Sequence, residues 1–334
     1  MSESMTMNQA DTLLEISDVS RLFGGGKSLF GKVLPAVHAV QNVNIKVREG
    51  ETLGIVGESG CGKSTLARLV VGLDLPTGGA ITFAGKDMVA EVKKDRRQMA
   101  RKVQYVFQDP VASLNPRKKI RTILEAPLIQ LLKLNAEERE ARLVELMEAV
   151  NLAPEFLDRY PHEFSGGQAQ RIGIARALAA DPELIVLDEP VSALDVSVQA
   201  QVLNILDDLK EKFGLTYIFI SHDLSVVESI SDRVAVMYFG RMVELGDAAD
   251  VFAEAHHPYS RLLLKSAPVP GRKSMLPEDA NTELPDPYNP PPGCAFYARC
   301  PRRLDMCTNE APKLDAAGKK ADHLSACFNP ENKD

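Results

Sequence analysis

No apolar run in these 334 residues approaches the ~18 positions that a helix needs to cross a bilayer, so no spanning helix is expected. The opening Met1-Ser2-Glu3-Ser4 has neither a basic stretch nor an apolar core, which argues against a secretion signal. Positive charge is also short. With 39 Lys plus Arg against 46 Asp plus Glu the net charge is −7, and nucleic acid, whose phosphates need a basic face, is disfavoured as a partner. Cysteine is scarce at 5, and in the cytosolic chain these absences imply, disulfides are not expected. What is present is enough to build a core. A hydrophobic fraction of 45% and a length that predicts about two domains point to a globular protein.

The segment Gly57-Glu58-Ser59-Gly60-Cys61-Gly62-Lys63-Ser64 fits G-x-x-x-x-G-K-S, a phosphate loop. It follows the apolar run Leu53-Gly54-Ile55-Val56 and precedes Thr65-Leu66-Ala67-Arg68-Leu69-Val70, the strand and helix that the motif requires. Further on, Ser165-Gly166-Gly167-Gln168 stands where a helix is predicted to begin, since Gln168 to Ala180 runs without a breaker. Free backbone N–H groups and the positive dipole end attract phosphate there, and two glycines let the backbone come close. Ser-Gly-Gly alone is often a plain turn; its place after a phosphate loop makes it a second anion site.

Leu184-Ile185-Val186-Leu187-Asp188-Glu189-Pro190 reads as an apolar strand ending in two carboxylates. Such pairs are usually solvated turn residues. In this order Asp188 is expected at the sheet edge, where nucleotide-bound Mg²⁺ would sit, with Glu189 able to accept a proton from an attacking water. His222 follows the apolar Thr216-Tyr217-Ile218-Phe219-Ile220; a lone histidine there is more often structural, and again the order favours function.

Taken together these motifs resemble those of an ATP-binding cassette protein, the ATPase subunit of an ABC transporter, over residues of about 14 to 268. The resemblance implies an α/β fold: a P-loop nucleotide-binding domain with a RecA-like core, an antiparallel β-subdomain and an inserted helical subdomain at about 109–180. It implies that Gly57 to Thr65 cradle ATP, with Lys63 on the β- and γ-phosphates, Ser64 on Mg²⁺ and Thr65 beside the α-phosphate. Gln108, in Val106-Phe107-Gln108-Asp109, resembles the Q-loop glutamine linking Mg²⁺ to the transport domain. Asp188 is similar to the Walker B aspartate, Glu189 to the catalytic glutamate, Ser192-Ala193-Leu194-Asp195 to the D-loop and His222 to the switch histidine. Phosphoryl transfer asks the protein for little covalent chemistry, so these residue types suit positioning and charge stabilisation around the γ-phosphate. Cys61 fills a variable loop position and is expected to be neither ligand nor nucleophile.

No hydrogen-bonding pocket for a base is evident, so stacking of adenine on an aromatic ring is expected. By resemblance to the A-loop this is Phe23, with Phe30 in reserve; an ordinary core phenylalanine is the competing reading, and Gly24-Gly25-Gly26 blurs the alignment. Val43, Ile45 and Val47 alternate as a half-buried strand. Asn135 with Glu138 reads as a capping box, and Leu143, Leu146, Met147 and Val150 then fall on one helical face.

Beyond His256 the character changes. Residues 1–13 are expected to be flexible, 269–292 to be a Pro-rich linker, and 293–334 to form a small Cys-rich extension carrying Cys294, Cys300, Cys307 and Cys327. Four clustered thiols in a cytosolic chain more often bind metal than pair. A [4Fe–4S] cluster suits their loose spacing, with zinc or unligated thiols as alternatives. His257-Pro258-Tyr259 and Gly293-Cys294-Ala295-Phe296-Tyr297-Ala298-Arg299-Cys300-Pro301 resemble the C-terminal extension of the oligopeptide/dipeptide branch, in which such cysteines carry the cluster; the chain is most similar to the second ATPase subunit of the dipeptide importers.

The resemblance implies an ATP-hydrolysing subunit of a di-/oligopeptide importer, peripheral on the cytoplasmic face of the inner membrane. Its expected partners are a second, different ABC ATPase, two permease subunits and a periplasmic or extracellular peptide-binding protein. The same engine serving nickel or another small solute is the alternative. A soluble ABC ATPase of DNA repair or translation would usually show two cassettes or a long coiled-coil insertion, and neither is seen.

Overall fold

The structure, a computed structural model, describes residues 12–26, 34–266, 284–318 and 320–331. Phe30, residues 1–11 and most of the expected linker lie outside them. The chain opens with β1 (Thr12–Gly24), β2 (Ala36–Arg48), β3 (Thr52–Val56) and α1 (Lys63–Val70), then β4 (Gly78–Phe83), β5 (Lys86–Asp87), α2 (Met88–Lys102) and β6 (Val103–Val106). A helical stretch follows: α3 (Pro110–Ser113), α4 (Ile120–Pro127), α5 (Ala136–Ala149) and α6 (Gly166–Leu178), separated by short 3₁₀ and π turns. Strand and helix then alternate through β7 (Leu184–Asp188), α7 (Val196–Phe213), β8 (Thr216–Ile220), α8 (Leu224–Ile230), β9 (Arg233–Tyr238) and β10 (Arg241–Asp247). Helices α9 (Ala248–Ala253) and α10 (Pro258–Ser266) and the two-residue strands β11 (Asp315–Ala316) and β12 (Leu324–Ser325) complete it.

The strands form an antiparallel four-stranded sheet, β2-β1-β4-β5, and an eight-stranded sheet, β11-β12-β10-β9-β3-β8-β7-β6. In the larger sheet β6, β7, β8, β3 and β9 run parallel, in register Val106↔Leu187, Asp188↔Ile220, Ile55↔Ile220 and Ile55↔Ala235. Every residue of β3, β7 and β8 is buried, as expected for parallel strands covered on both faces. Alternate residues feed two cores. Ile185, Leu187, Phe219 and Val236 pack with the helical region, while Ile55, Val186, Ile218 and Met237 pack with α1 and the antiparallel sheet. That register also aligns the carboxyl ends of four strands. The segments that follow them emerge side by side, the crevice where parallel sheets bind ligands.

Local rules explain several elements. On β2, Val43, Ile45 and Val47 are buried and their neighbours exposed. Helix α5 starts at the expected capping box: the Asn135 side chain accepts from the amides of Glu137 and Glu138, and Glu138 accepts from the amide of Asn135. Leu143, Leu146, Met147 and Val150 are buried together. The tail does not stand apart from the sheet. Its β12 pairs with β10, Glu244 opposite Ser325, and the Ala326 amide donates to the Val243 carbonyl at 2.8 Å.

The tail is further secured by a buried polar cluster. Glu244, fully buried, accepts hydrogen bonds from the amides of His256 (2.6 Å) and His257 (3.0 Å), and its Oε1 lies 2.7 Å from His323 Nε2. Burial pushes this carboxyl up, but the hydrogen bonds, that of His323 foremost, outweigh it and hold it below the usual carboxylate range.

Candidate functional site

The loop between β3 and α1 is built on glycines that nothing else can replace. A Cβ on Gly57 (φ 156°) would lie 2.2 Å from the Met237 carbonyl oxygen, and one on Gly62 (φ 109°) 2.3 Å from that of Ala39. Helix α1 begins at Lys63 with no side-chain cap and no acidic residue in its first turn, so its leading amides and dipole are left to the loop. Lys63 is buried, and its Nζ donates to the carbonyls of Gly57 (2.7 Å) and Glu58 (3.0 Å), wrapping the loop around the ammonium. Ser59, Gly60 and Ser64 are exposed on the loop, with Thr65 half-buried. Cys61 points the other way, into the core, where burial pushes its thiol up; it is no nucleophile at neutral pH.

At the ends of β6, β7 and β8 the structure brings Gln108, Glu189 and His222 together. Gln108 Nε2 donates to Glu189 Oε2 at 2.8 Å, and His222 Nδ1 lies 3.2 Å from Glu189 Oε1. Glu189 itself has φ 49°, a left-handed conformation costly for a residue with a side chain, and its amide donates to the Ile220 carbonyl at 2.8 Å. Strain of this kind persists only where the surroundings impose it. Asp188, buried at the end of β7, accepts a 2.6 Å hydrogen bond from the Tyr105 hydroxyl. Burial first, then this bond, raises the Tyr105 pKa, so the phenol stays a donor. Tyr105 was not foreseen from the sequence: an aromatic in an apolar strand reads as core. The available signal was its position on β6, three residues before Gln108.

Helix α6 starts within the expected tetrapeptide, at Gly166, with Ser165 as its cap. Ser165 Oγ accepts from the Gln168 amide (3.4 Å) and Gln168 Oε1 from the Ser165 amide (3.0 Å), a capping box. Gly167 packs so closely on α7 that a Cβ would lie 2.4 Å from Val198 Cγ1, and Gly166 faces Leu194. Ser165 to Gln168 and the loop ending in exposed Asp195 therefore form one surface.

Phe23 is 39% exposed, with the Arg21 guanidinium 4.6 Å from its ring centre. It is therefore not an ordinary core residue. It pairs with Val37, two residues from Ala39, whose carbonyl abuts Gly62.

The cysteine expectation fares differently. All five are free thiols. Burial raises the pKa of Cys294 and Cys300 and pushes that of Cys327 up to about 11, with the neighbouring cysteines adding to the shift in each case. The four sulfurs are thus near one another, yet among the described residues no group of three or more His, Cys, Asp or Glu side chains is arranged to hold a metal ion. Among the described residues the expected [4Fe–4S] cluster or zinc thus finds no support in the arrangement of these thiols.

Comparison with known proteins agrees with the rest of this geometry. The family described as "ABC transporter" matches residues 40–192, and "Oligopeptide/dipeptide transporter, C-terminal region" matches residues 243–307. The oligopeptide transport ATP-binding protein AppF of Bacillus subtilis is 48% identical over 97% of this chain and 99% of its own. The dipeptide transport ATP-binding protein DppF of Escherichia coli is 47% identical (95% and 94%), and the oligopeptide transport ATP-binding protein OppF of Salmonella typhimurium 46% (94% and 96%). Among solved structures, cbiO1 of Clostridium perfringens, part of an ABC transporter complex, superposes with TM-score 0.63 at 27% identity, covering 73% of this chain and 92% of its own. The dimeric ATP-binding cassette MJ0796 bound to ADP and Pi does so at 0.61 and 30%, covering 71% and 99%.

Proposed function

Because the chain belongs to the ATP-binding proteins of the oligopeptide/dipeptide ABC transporters, we propose that residues 14–268 are its ATPase cassette, with a helical subdomain at about 109–180, and that it powers peptide import. The observation that carries the proposal is the convergence of Gln108, Glu189 and His222 beside a glycine-built phosphate loop. In this reading Gly57 to Thr65 hold the ATP phosphates and Lys63 neutralises them. Phe23 stacks on adenine, its exposed ring at the free end of β1 supporting the assignment.

The donor set suits magnesium: hard oxygens on Ser64, Gln108 and a buried, hydrogen-bonded Asp188. When bound, the ion would neutralise charge developing on the transferred phosphoryl group. Glu189 orients and deprotonates the attacking water, and Gln108 and His222 hold its carboxylate in place. His222 also meets the γ-phosphate. An iron–sulfur cluster or zinc stays outside the proposal, since no metal-holding group is found among the described residues.

Ser165, Gly166, Gly167 and Gln168, with Asp195 alongside, are assigned to the nucleotide of a second ATPase subunit. The exposed Gly166 in the first turn of α6 supports this, since the dipole and leading amides of a helix favour an anion. The partner is a different ATPase, and the pair drives two permease subunits fed by a peptide-binding protein, on the cytoplasmic face of the membrane. Among the described residues no helix is long and apolar enough to cross it, in keeping with a peripheral subunit. The test is reconstitution with the permeases in liposomes. Uptake of di- or oligopeptides should require ATP and this chain, and uptake of a metal ion or other solute instead would overturn the cargo.

A further inference from the structure

Glu58 places a carboxylate within the loop that must accept a triphosphate. Like charges at such range repel, and the sequence of the loop offers no compensation beyond Lys63, whose ammonium is bonded to backbone carbonyls. The compensation comes from 241 positions away. Arg299, on the 3₁₀ turn Tyr297–Arg299 of the tail, grips Glu58 with two parallel bonds, Nη1 to Oε2 and Nη2 to Oε1, each 2.9 Å. The Arg299 side chain is 12% exposed and that of Glu58 29%, so water screens the pair weakly.

The grip is itself supported. The Arg299 guanidinium lies 5.5 Å from the Phe296 ring centre and 5.9 Å from that of Tyr238. Tyr259, fully buried and packed against both rings, accepts a 2.9 Å hydrogen bond at its hydroxyl from the Glu58 amide. Backbone and side chain of one loop residue are thus both held from beyond the cassette's last strand of the central sheet. The tail reaches the other side of the site too, where the Pro287 carbonyl accepts from the His38 amide on β2, next to Val37, the partner of Phe23. The hydrogen bonding to Glu58 is the largest influence keeping the Arg299 guanidinium charged.

We propose that Arg299 is a positioning residue for the phosphate loop, neutralising Glu58 and turning it away from the triphosphate, so that the C-terminal tail sets the ATP affinity of the site. The inference rests on the ATPase reading given above. It predicts a defect in binding rather than in chemistry, because the contact is present before the transition state.

The experiment measures nucleotide binding on the full chain and ATPase kinetics on the transporter assembled with it. Arg299→Gln keeps reach and loses charge; KM for ATP should rise about tenfold with kcat within about twofold, and raising the salt should shrink the defect. Arg299→Lys, retaining the charge, should recover most of the affinity, and adding Glu58→Gln to Arg299→Gln should do so as well. Should Arg299→Gln not fold, Glu58→Asp against Glu58→Gln decides. The shortened carboxylate loses its partner and keeps its charge, so it should weaken ATP several-fold more than the neutral amide does. Unchanged KM in Arg299→Gln, or equal weakening by both Glu58 variants, overturns the proposal. Absence of Mg²⁺-dependent turnover in the transporter assembled with the unsubstituted chain would instead sink the ATPase reading.

Discussion

Gln108 and Glu189, 81 positions apart, meet through a 2.8 Å hydrogen bond from amide to carboxylate. With His222 3.2 Å from the other oxygen, the carboxylate is braced at both ends on a backbone held in a left-handed conformation. A group so restrained has one orientation to offer a water molecule.

Replacing Glu189 by glutamine keeps the shape and removes the base. Hydrolysis should fall about a thousandfold while ATP remains bound, as read by single-turnover assays and filter binding. Brisk turnover in this variant would remove Glu189 from its role.

The contact of Gly167 with Val198 makes a sharper demand than the sequence pattern. An added Cβ would sit 2.4 Å from Val198 Cγ1, and a β-branched side chain on a helix has little freedom to yield. Gly167→Ala should destabilise the chain by about 1–3 kcal/mol in denaturant titrations, and Val198→Ala in the same chain should restore most of it.

Tyr105 holds Asp188 from within the sheet. Tyr105→Phe should leave the fold intact and raise the Mg²⁺ concentration for half-maximal ATPase activity about tenfold, the usual cost of losing an outer hydrogen bond to a metal-binding carboxylate. A magnesium profile that does not move would show that this bond is structural only.

His257 is fully buried and its Nδ1 accepts from the Tyr259 amide, an arrangement that needs the neutral ring. Desolvation lowers its pKa from 6.5 to about 4. The unfolded chain therefore takes up the proton first, and stability present above pH 6.5 is lost as the pH falls toward 4, by about 3 kcal/mol in all. His257→Gln should flatten that slope in unfolding free energies measured between pH 7 and pH 4.

Much of this was legible because it is local or ordered along the chain. The phosphate loop, the capping box at Asn135 and the alternation of Val43, Ile45 and Val47 depend on neighbours a few residues away. The order of Lys63, Gln108, Ser165, Asp188 and His222 then gave the site. Unread were the pairings that join distant positions by side-chain geometry: Tyr105 to Asp188, Arg299 to Glu58, and His323 to Glu244. Strand β12, at two residues, is too short to show a period. The cysteine spacing suggested ligands, but no metal-holding group of side chains is found among the described residues.

Strand β12 has a further consequence for how the protein can be handled. By pairing with β10 it covers backbone that would otherwise face solvent beside the apolar Val243 and Leu245. Cutting the chain back to the cassette would bare that rim as a template for another chain's strand, and self-association would follow. The tail is in this sense a built-in guard against aggregation, one that a shortened version would have to do without.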